Sequence, residues 1–242
     1  MPSAPLLIAH RGASGYRPEN TEAAFRYARR MGARAAEFDV QQTKDGALVV
    51  AHDTDLRRTA GLRRALGAMT VAELRRVDVG SWFSPKYAAE RVPTLERVLR
   101  LVGSGEVHLE IKQARRPYRG IEERVLSLLN SRPAWKRNTI ISSFHYGTLR
   151  RLRTLDPNVR LGWLAGYRSA AAEVAKAKSV GAESVHISVR QASAAWVRAA
   201  GRAGLKVLVY TVNSESELAR LRALGVAGVF TNYPDLNRRG KA

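Results

Sequence analysis

The residues best suited to chemistry in this chain are three carboxylates, two histidines, one arginine and one lysine that end or directly follow short apolar segments. They are His10, Arg11, Glu37, Asp39, His52, Glu110 and Lys112. Glu37 and Asp39 are two residues apart, so in an extended strand both side chains point to the same face. Gathering this many charges is costly unless opposing charges or a metal ion compensate them. The combination suits a phosphate ester bound beside a divalent cation.

Taken singly, each of these residues favours a structural interpretation. Glu110 and Lys112 can form a structural ion pair, and His52 can be a buried core imidazole. Their placement at successive predicted strand ends, in chain order, favours one shared site instead, because strand ends of a (β/α) barrel converge above its mouth.

Short apolar segments alternate with helix-patterned segments along almost the whole chain. The predicted strands are Leu6–His10, Ala35–Val40, Ala47–His52, Val107–Ile111, Thr139–Ser143, Arg160–Leu164, Ser184–Ser188, Lys206–Tyr210 and Gly228–Thr231. The helices expected between them include Thr21–Met31, Ile121–Leu129, Tyr146–Leu155, Ala171–Val180, Ala194–Ala200 and Glu215–Leu224. Gly181 and Gly225 are each expected to end a helix. Repeated βαβ units predict a barrel or a doubly wound sheet, and the length of 242 residues suits an α/β TIM-type (β/α)8 barrel.

One region, residues 53–92, breaks this alternation. It carries a short predicted helix near Val71–Val77 and precedes a helix that Thr94 is expected to cap. Long irregular loops within compact domains commonly serve as lids or binding loops. We therefore expect a single barrel domain over residues 1–242, with 53–92 as a small insertion after the second βα region.

The composition restricts the chemistry and the compartment. The chain has no cysteine, which excludes a disulfide framework, a thiol nucleophile and a thiolate metal site. A metal would therefore need oxygen or imidazole ligands. No apolar run approaches the roughly 20 residues that cross a bilayer, and the first residues do not read as a secretory signal. A cytoplasmic protein is expected.

The net charge of +20 suggests attraction to polyanions. The arginines, however, occur as pairs along predicted helices, such as Arg29-Arg30 and Arg75-Arg76, and not as one block with interleaved aromatic residues. This pattern is typical of solvated helix faces. We expect no specific nucleic-acid partner, and only a weak, salt-sensitive attraction to anionic membrane surfaces.

Several segments resemble the signature blocks of the glycerophosphodiester phosphodiesterase family. They are HRGASGYRPENT (10–21), EFDVQQTKDGALVVAHD (37–53), HLEIK (108–112), SSFHYGTLRRLR (142–153) and YTVNSESELARLRALGVAGVFTNYPD (210–235). The resemblance runs from residue 6 to residue 236 in conserved block order. It implies a barrel enzyme, a phosphoric diester hydrolase that converts glycerophosphodiesters to an alcohol and sn-glycerol 3-phosphate.

The resemblance also implies a metal site and an acid/base pair. Glu37, Asp39 and Glu110 match the family's ligands for a divalent cation, Ca²⁺ or Mg²⁺, which prefers oxygen donors. His10 and His52 match its general acid/base pair. The nucleophile of the first step is either the glycerol 2-hydroxyl, which would give a cyclic phosphate that water then opens, or water itself.

Further positions match substrate-binding or supporting residues. Arg11 and Lys112 match residues that bind the phosphate. Trp82 and Phe83, in the insertion, are expected to form an apolar wall beside the glycerol or, alternatively, to pack within the insertion. Two more residues, Glu19 and Asn20, are expected to support the site, although Asn20 could instead be the N-cap of the following helix.

The chain departs from the family pattern near its end. It has Tyr210 where tryptophan is common, Ala227 where aspartate is frequent, and Asn232 where aspartate is usual. We expect these changes to touch no proposed metal ligand or histidine. His145 and His186 are expected to be peripheral, with His186 rather than His145 facing the mouth.

Two other classes of function are left open by the sequence. One is a related barrel phospholipase or lyase that forms cyclic phosphates from lysolipids. The segment from the PENT block to His52-Asp53 fits this class less well than it fits the phosphodiesterase family. The other is a non-catalytic barrel that binds polyanions. The intact set of two histidines and three carboxylates argues against the latter.

Overall fold

A computed structural model describes residues 4–114 and 117–238 of the chain. The strands over these residues, in chain order, are β1 (Leu6–His10), β2 (Ala35–Gln42), β3 (Leu48–Val50), β4 (Asp55–Leu56), β5 (Leu62–Ala65), β6 (Glu106–Ile111), β7 (Thr139–Ser143), β8 (Leu161–Leu164), β9 (Ser184–Ser188), β10 (Lys206–Tyr210) and β11 (Gly228–Thr231). A closed ring of parallel strands runs β1-β11-β10-β9-β8-β7-β6-β2, and β1 pairs with both β11 and β2. The predicted TIM-type barrel is confirmed.

Helices follow most of the barrel strands and surround the ring. They are α1 (Glu22–Arg30), α2 (Arg57–Ala60), α3 (Val71–Leu74), α4 (Leu95–Val102), α5 (Ile121–Asn130), α6 (Pro133–Asn138), α7 (Tyr146–Leu155), α8 (Ala170–Ser179), α9 (Ala194–Arg202) and α10 (Glu215–Leu224). In the part of the chain that the structure describes, none of the helices is long and apolar enough to cross a membrane.

Short polar side chains and glycines set the limits of these helices. The hydroxyl of Thr94 accepts a hydrogen bond from the amide of Arg97, so the predicted N-cap of α4 is confirmed. Serines cap α8, α9 and α10 in the same way. Gly225 ends α10 in the left-handed conformation, with φ 78°, which glycine adopts at little cost. These local signals make most helix bounds readable from the sequence.

The strand β3 is not part of the ring. It runs antiparallel to β2, with Val50 opposite Val40. The connection between them is a tight turn at Asp45-Gly46, where Gly46 has φ 81°, and such a turn is far too short for a parallel crossover. The prediction of a strand over Ala47–His52 is therefore wrong in its length, and its direction is reversed from that of a barrel strand. Because β3 folds back along β2, the chain reaches His52 beside the barrel mouth.

The insertion after β3 has a small apolar core of its own. The hairpin of β4 and β5, two short helices and two 3₁₀ turns pack around Leu56, Leu66, Met69 and Leu74, all of which are buried. Buried Val49, in β3, belongs to the same cluster. The short helix predicted near Val71–Val77 is present as α3. Through β3, the insertion is attached directly to the rim of the barrel.

Large side chains fill the inside of the barrel below its mouth. Ile8, Leu208 and Phe230 form an apolar cluster, and the rings of His108 and His186 pack against Phe230 with centroids 5.4 and 5.2 Å away. Both histidines are buried. The predicted site lies above this packed interior, at the C-terminal ends of the strands.

We predict that Gly162→Ala destabilises the barrel. A methyl group at Gly162, on β8, would lie 2.6 Å from Nε2 of the buried His186 ring. Overpacking of this kind is expected to lower the free energy of unfolding by roughly 1–3 kcal/mol, measured by urea denaturation. Gly201→Ala in α9 is the control, because its methyl group would meet nothing within 4 Å and alanine favours helix. Equal midpoints for the two variants would contradict the packing described.

Candidate active site

The C-terminal ends of the barrel strands surround a cavity of about 190 Å³. One side of its wall is charged and the other is mostly apolar. The charged side consists of His10, Arg11, Glu37, His52, Glu110 and Lys112. The opposite side includes Phe144, Leu164, Tyr210 and Phe230. The charged residues singled out in the sequence are thus brought together, with Asp39 buried next to them.

The three carboxylates lie side by side on neighbouring strands. In the register of β2 and β6, Asp39 is opposite Glu110, and Glu37 shares the face of Asp39. One oxygen from each of the three lies within 4.8 Å of the others, and all three residues are buried. Burial, with the charge of Asp39, raises the pKa of Glu37 well above its ordinary value, and burial raises the pKa of Glu110 to about 7. Oxygen donors crowded in this way fit a hard divalent cation.

Two cations lie against this acidic group. Lys112 Nζ is 2.8 Å from Glu110 Oε1 and 3.3 Å from Asp39 Oδ1, and Arg11 Nε is 3.4 Å from Asp39 Oδ2. Burial acts to raise the pKa of Asp39, but attraction to Lys112 and Arg11 outweighs it and holds that pKa below its ordinary value. Both cations line the cavity, where they can attract an anion.

The imidazole of His10 is fixed by a residue from the last part of the chain. Its Nδ1 is 2.8 Å from Oδ1 of Asn232. Because an amide oxygen only accepts hydrogen bonds, Nδ1 carries the hydrogen and Nε2 is left as the basic nitrogen. Burial and the charge of Arg11 lower the pKa of His10 to about 4. The ring is therefore neutral near pH 7 and able to accept a proton.

The imidazole of His52 is fixed by its sequence neighbour. Its Nδ1 is 2.7 Å from Oδ1 of Asp53, so here too Nδ1 bears the hydrogen. Burial, with the charges of Arg11 and Lys112, lowers the pKa of His52, although the charge of Asp39 and the hydrogen bond to Asp53 act in the opposite direction. A carboxylate partner stabilises the protonated ring, which a neutral amide does less effectively. The two histidines thus have different electrostatic surroundings.

Comparison with known proteins identifies the family to which this arrangement belongs. The sequence profile described as the Glycerophosphoryl diester phosphodiesterase family matches residues 10–236. The chain belongs to this family. Members of the glycerophosphodiester phosphodiesterase family are enzymes that cleave phosphoric diesters, and the resemblance stated from the sequence is confirmed.

Individual relatives of this phosphodiesterase family are similar over nearly their whole length. A glycerophosphodiester phosphodiesterase of Bacillus subtilis is 36% identical, over 98% of this chain and 86% of its own. One from Caldanaerobacter subterraneus is also 36% identical, over 95% of both chains. A solved phosphodiesterase of Oleispira antarctica, in complex with the product sn-glycerol-3-phosphate, has 30% identity and a TM-score of 0.86, covering 99% of this chain and 98% of its own.

One expectation about departures from the family pattern is wrong. Asn232 was expected to touch no proposed ligand or histidine, yet it hydrogen bonds directly to His10. The two residues are 222 positions apart, and the pairing of β1 with β11 brings them together. No local feature of the sequence predicts this contact. Tyr210, another of the departures, lines the cavity.

The two residues expected to support the phosphodiesterase site do contact it. Glu19 Oε1 accepts a hydrogen bond from Arg11 Nη1 at 2.9 Å, and Asn20 Nδ2 donates to Asp39 Oδ2 at 2.9 Å. The alternative assignment of Asn20 as a helix N-cap is wrong, because Thr21 caps α1. Asn20 has φ 56°, a conformation that asparagine tolerates better than most residues.

Trp82 and Phe83 are not among the residues that line the cavity. They lie on the insertion, 43% and 36% exposed, with their rings packed edge to face against each other. The cavity is instead lined by apolar residues that were not predicted from the sequence. The main one is Phe144, directly after β7. The sequence signal that could have identified Phe144 is an aromatic residue directly after the end of a predicted strand. His186 is among the residues that line the cavity, and His145 is not.

We predict that Asn232→Asp raises the pKa of His10. A carboxylate 2.8 Å from Nδ1 favours the protonated imidazole, so the ring would titrate above the value of about 4 found with asparagine. The measurement is an NMR titration of the imidazole protons, with the His10 signal assigned from its loss in His10→Gln. Asn138→Asp, at the opposite end of the barrel, adds the same charge and should leave that signal unchanged. An unchanged His10 titration in Asn232→Asp would contradict the contact.

Proposed function

We propose that this chain hydrolyses glycerophosphodiesters to an alcohol and sn-glycerol 3-phosphate. One observation carries the proposal: two histidines with fixed Nδ1 atoms line one cavity beside a group of three buried carboxylates. The related enzyme of Oleispira antarctica, with sn-glycerol-3-phosphate as its product, supports the same product for this chain. The proposed substrate is a small molecule, and the active unit is one barrel over residues 1–242 with the insertion 53–92.

The proposal includes a divalent cation, Ca²⁺ or Mg²⁺, held by Glu37, Asp39 and Glu110. The crowding of their oxygens and the raised pKa values of Glu37 and Glu110 support it, because positive charge would relieve the repulsion. When bound, such a cation supplies charge that polarises the phosphoryl oxygens. Lys112 and Arg11 compensate part of the same negative charge from the protein side.

The two histidines are proposed to move the protons of the reaction. His10, neutral and basic at Nε2, accepts the proton of the attacking hydroxyl group, which belongs either to the glycerol 2-carbon or to water. His52, whose protonated form is stabilised by Asp53, donates a proton to the oxygen of the leaving alcohol. A cyclic phosphate formed in the first route would then be opened by water with the roles of the two rings reversed.

The remaining contacts are proposed to hold the substrate. Arg11 offers a planar fork and Lys112 a point charge to the phosphate. We still propose that Trp82 and Phe83 make apolar contacts with the substrate on the insertion side of the mouth. To these we add Phe144 and Tyr210, which line the cavity itself, pack edge to face at 6.3 Å and face the charged wall.

We expect His10→Gln and His52→Gln each to lower kcat by roughly 10²- to 10⁴-fold, the usual contribution of a positioned acid or base. The assay follows glycerol 3-phosphate release from glycerophosphocholine and glycerophosphoethanolamine with Mg²⁺ or Ca²⁺ present. His145→Gln is the control, because His145 is exposed at the start of α7.

Three results would count against this function. Absence of release from either diester by folded, metal-supplemented protein would contradict it. Accumulation of a cyclic phosphate that is never opened would identify a lyase instead. Tight, salt-dependent polyanion binding without turnover would identify a binding protein.

We further expect a chelator to abolish turnover and either Mg²⁺ or Ca²⁺ to restore it. Glu110→Gln should weaken binding of that ion, measured by titration calorimetry on chelator-treated protein, because one buried carboxylate of the three is neutralised. Glu96→Gln, an exposed carboxylate on α4, is the matched control. Equal ion affinity in the two variants would remove Glu110 from the proposed ligand set.

A further inference from the structure

Arg58, in the short helix α2 of the insertion, binds two carboxylates at once. Its Nη1 and Nη2 lie 2.8 and 2.7 Å from the two oxygens of Glu19, and its Nε lies 2.8 Å from Oδ2 of Asp53. The guanidinium group therefore uses both of its edges. Its carbon lies 5.7 Å from the centre of the Trp82 ring.

Each of these two carboxylates contacts a residue of the cavity wall. Asp53 uses its other oxygen, Oδ1, to bind Nδ1 of His52 at 2.7 Å. Glu19 uses Oε1 to bind Nη1 of Arg11 at 2.9 Å. A continuous chain of hydrogen bonds thus runs from His52 through Asp53, Arg58 and Glu19 to Arg11. Its two ends are the proposed acid and the proposed phosphate ligand.

A surface ion pair with no functional role would look different. Arg64, on the same insertion, is 46% exposed and pairs with Glu73, itself 42% exposed; such pairs contribute little. Arg58 has a similar exposure, 44%, but its partner Glu19 is only 14% exposed and is shared with Arg11. Losing Arg58 would leave Asp53 free to rotate away from His52, and Glu19 held from one side only.

We propose that Arg58 is a positioning residue, which fixes His52 through Asp53 and Arg11 through Glu19. This assignment rests on the proposed function, in which His52 and Arg11 act on the substrate. The assignment makes the insertion a structural part of the active site. Among the described residues, Arg58 of α2 carries the one guanidinium group that joins Asp53 to Glu19. Lysine could not replace it fully, since its single ammonium group cannot form the two-edged contact.

The test compares Arg58→Ala, Arg58→Lys and the control Arg64→Ala in the metal-supplemented enzyme. Arg58→Ala is expected to lower kcat by roughly 10- to 100-fold, the usual cost of removing an orienting partner, and to raise KM because Arg11 is less well placed. Arg58→Lys should recover part of the loss, and Arg64→Ala should stay near wild type. Millimolar guanidinium chloride, but not equal NaCl, should restore part of the activity of Arg58→Ala.

A second measurement does not depend on turnover. The Nδ1–H proton of His52, assigned by its loss in His52→Gln, should be visible by NMR in wild type and in Arg64→Ala and lost or fast-exchanging in Arg58→Ala. In a double-mutant cycle, Asp53→Asn and Arg58→Ala should be non-additive in kcat.

These measurements distinguish a failure of the proposal for Arg58 from a failure of the proposed function. Wild-type activity in Arg58→Ala, with the His52 proton unchanged, overturns the proposal. So does a loss of kcat that is additive with Asp53→Asn and not rescued by guanidinium, since this indicates a general loss of structure. A wild-type enzyme inactive on glycerophosphodiesters would overturn the proposed function alone, while the NMR measurement would still decide the role of Arg58.

Discussion

The crowding of Glu37, Asp39 and Glu110 is the constraint on which the rest of the barrel mouth depends. Their oxygens lie within 4.8 Å of each other in a buried setting, where like charges repel strongly. Each neighbouring feature reduces that repulsion. Lys112 and Arg11 supply positive charge, Asn20 donates to Asp39, and two of the carboxyl groups have raised pKa values. Glu37, Asp39 and Glu110 are carried by β2 and β6, two paired strands of the closed ring, which hold the group together.

The two histidines reach this acidic group by different structural routes. His10 ends a barrel strand and is oriented from the far end of the chain by Asn232. His52 follows the antiparallel strand β3 and is oriented by Asp53 and, through it, by Arg58 of the insertion. The barrel therefore orients one of the two histidines proposed to transfer protons, and the insertion orients the other. This division explains why an irregular segment with its own apolar core is attached to the rim beside the cavity.

Much of this arrangement can be predicted from the sequence, for identifiable physical reasons. The β2 and β6 carboxylates were predictable because alternate residues of a strand share a face and parallel strand ends converge. The helix limits at Thr94 and Gly225 follow from capping chemistry. The direction of β3 was missed because its short apolar run looks like a barrel strand, and only the Asp45-Gly46 turn marks the reversal. The contacts of Asn232 with His10 and of Arg58 with Glu19 join distant parts of the chain, and no local pattern encodes them.

Closure of the barrel has a consequence for how the protein is made. The acidic group and His52 all lie at or before Glu110, so a nascent polypeptide carries them long before β11 is synthesised. The partner that orients His10 lies just after β11, whose pairing with β1 completes the ring. A prematurely terminated product would thus lack an oriented His10 even if its early strands had assembled. Synthesis of β11 and of Asn232 is thus a condition for an oriented His10.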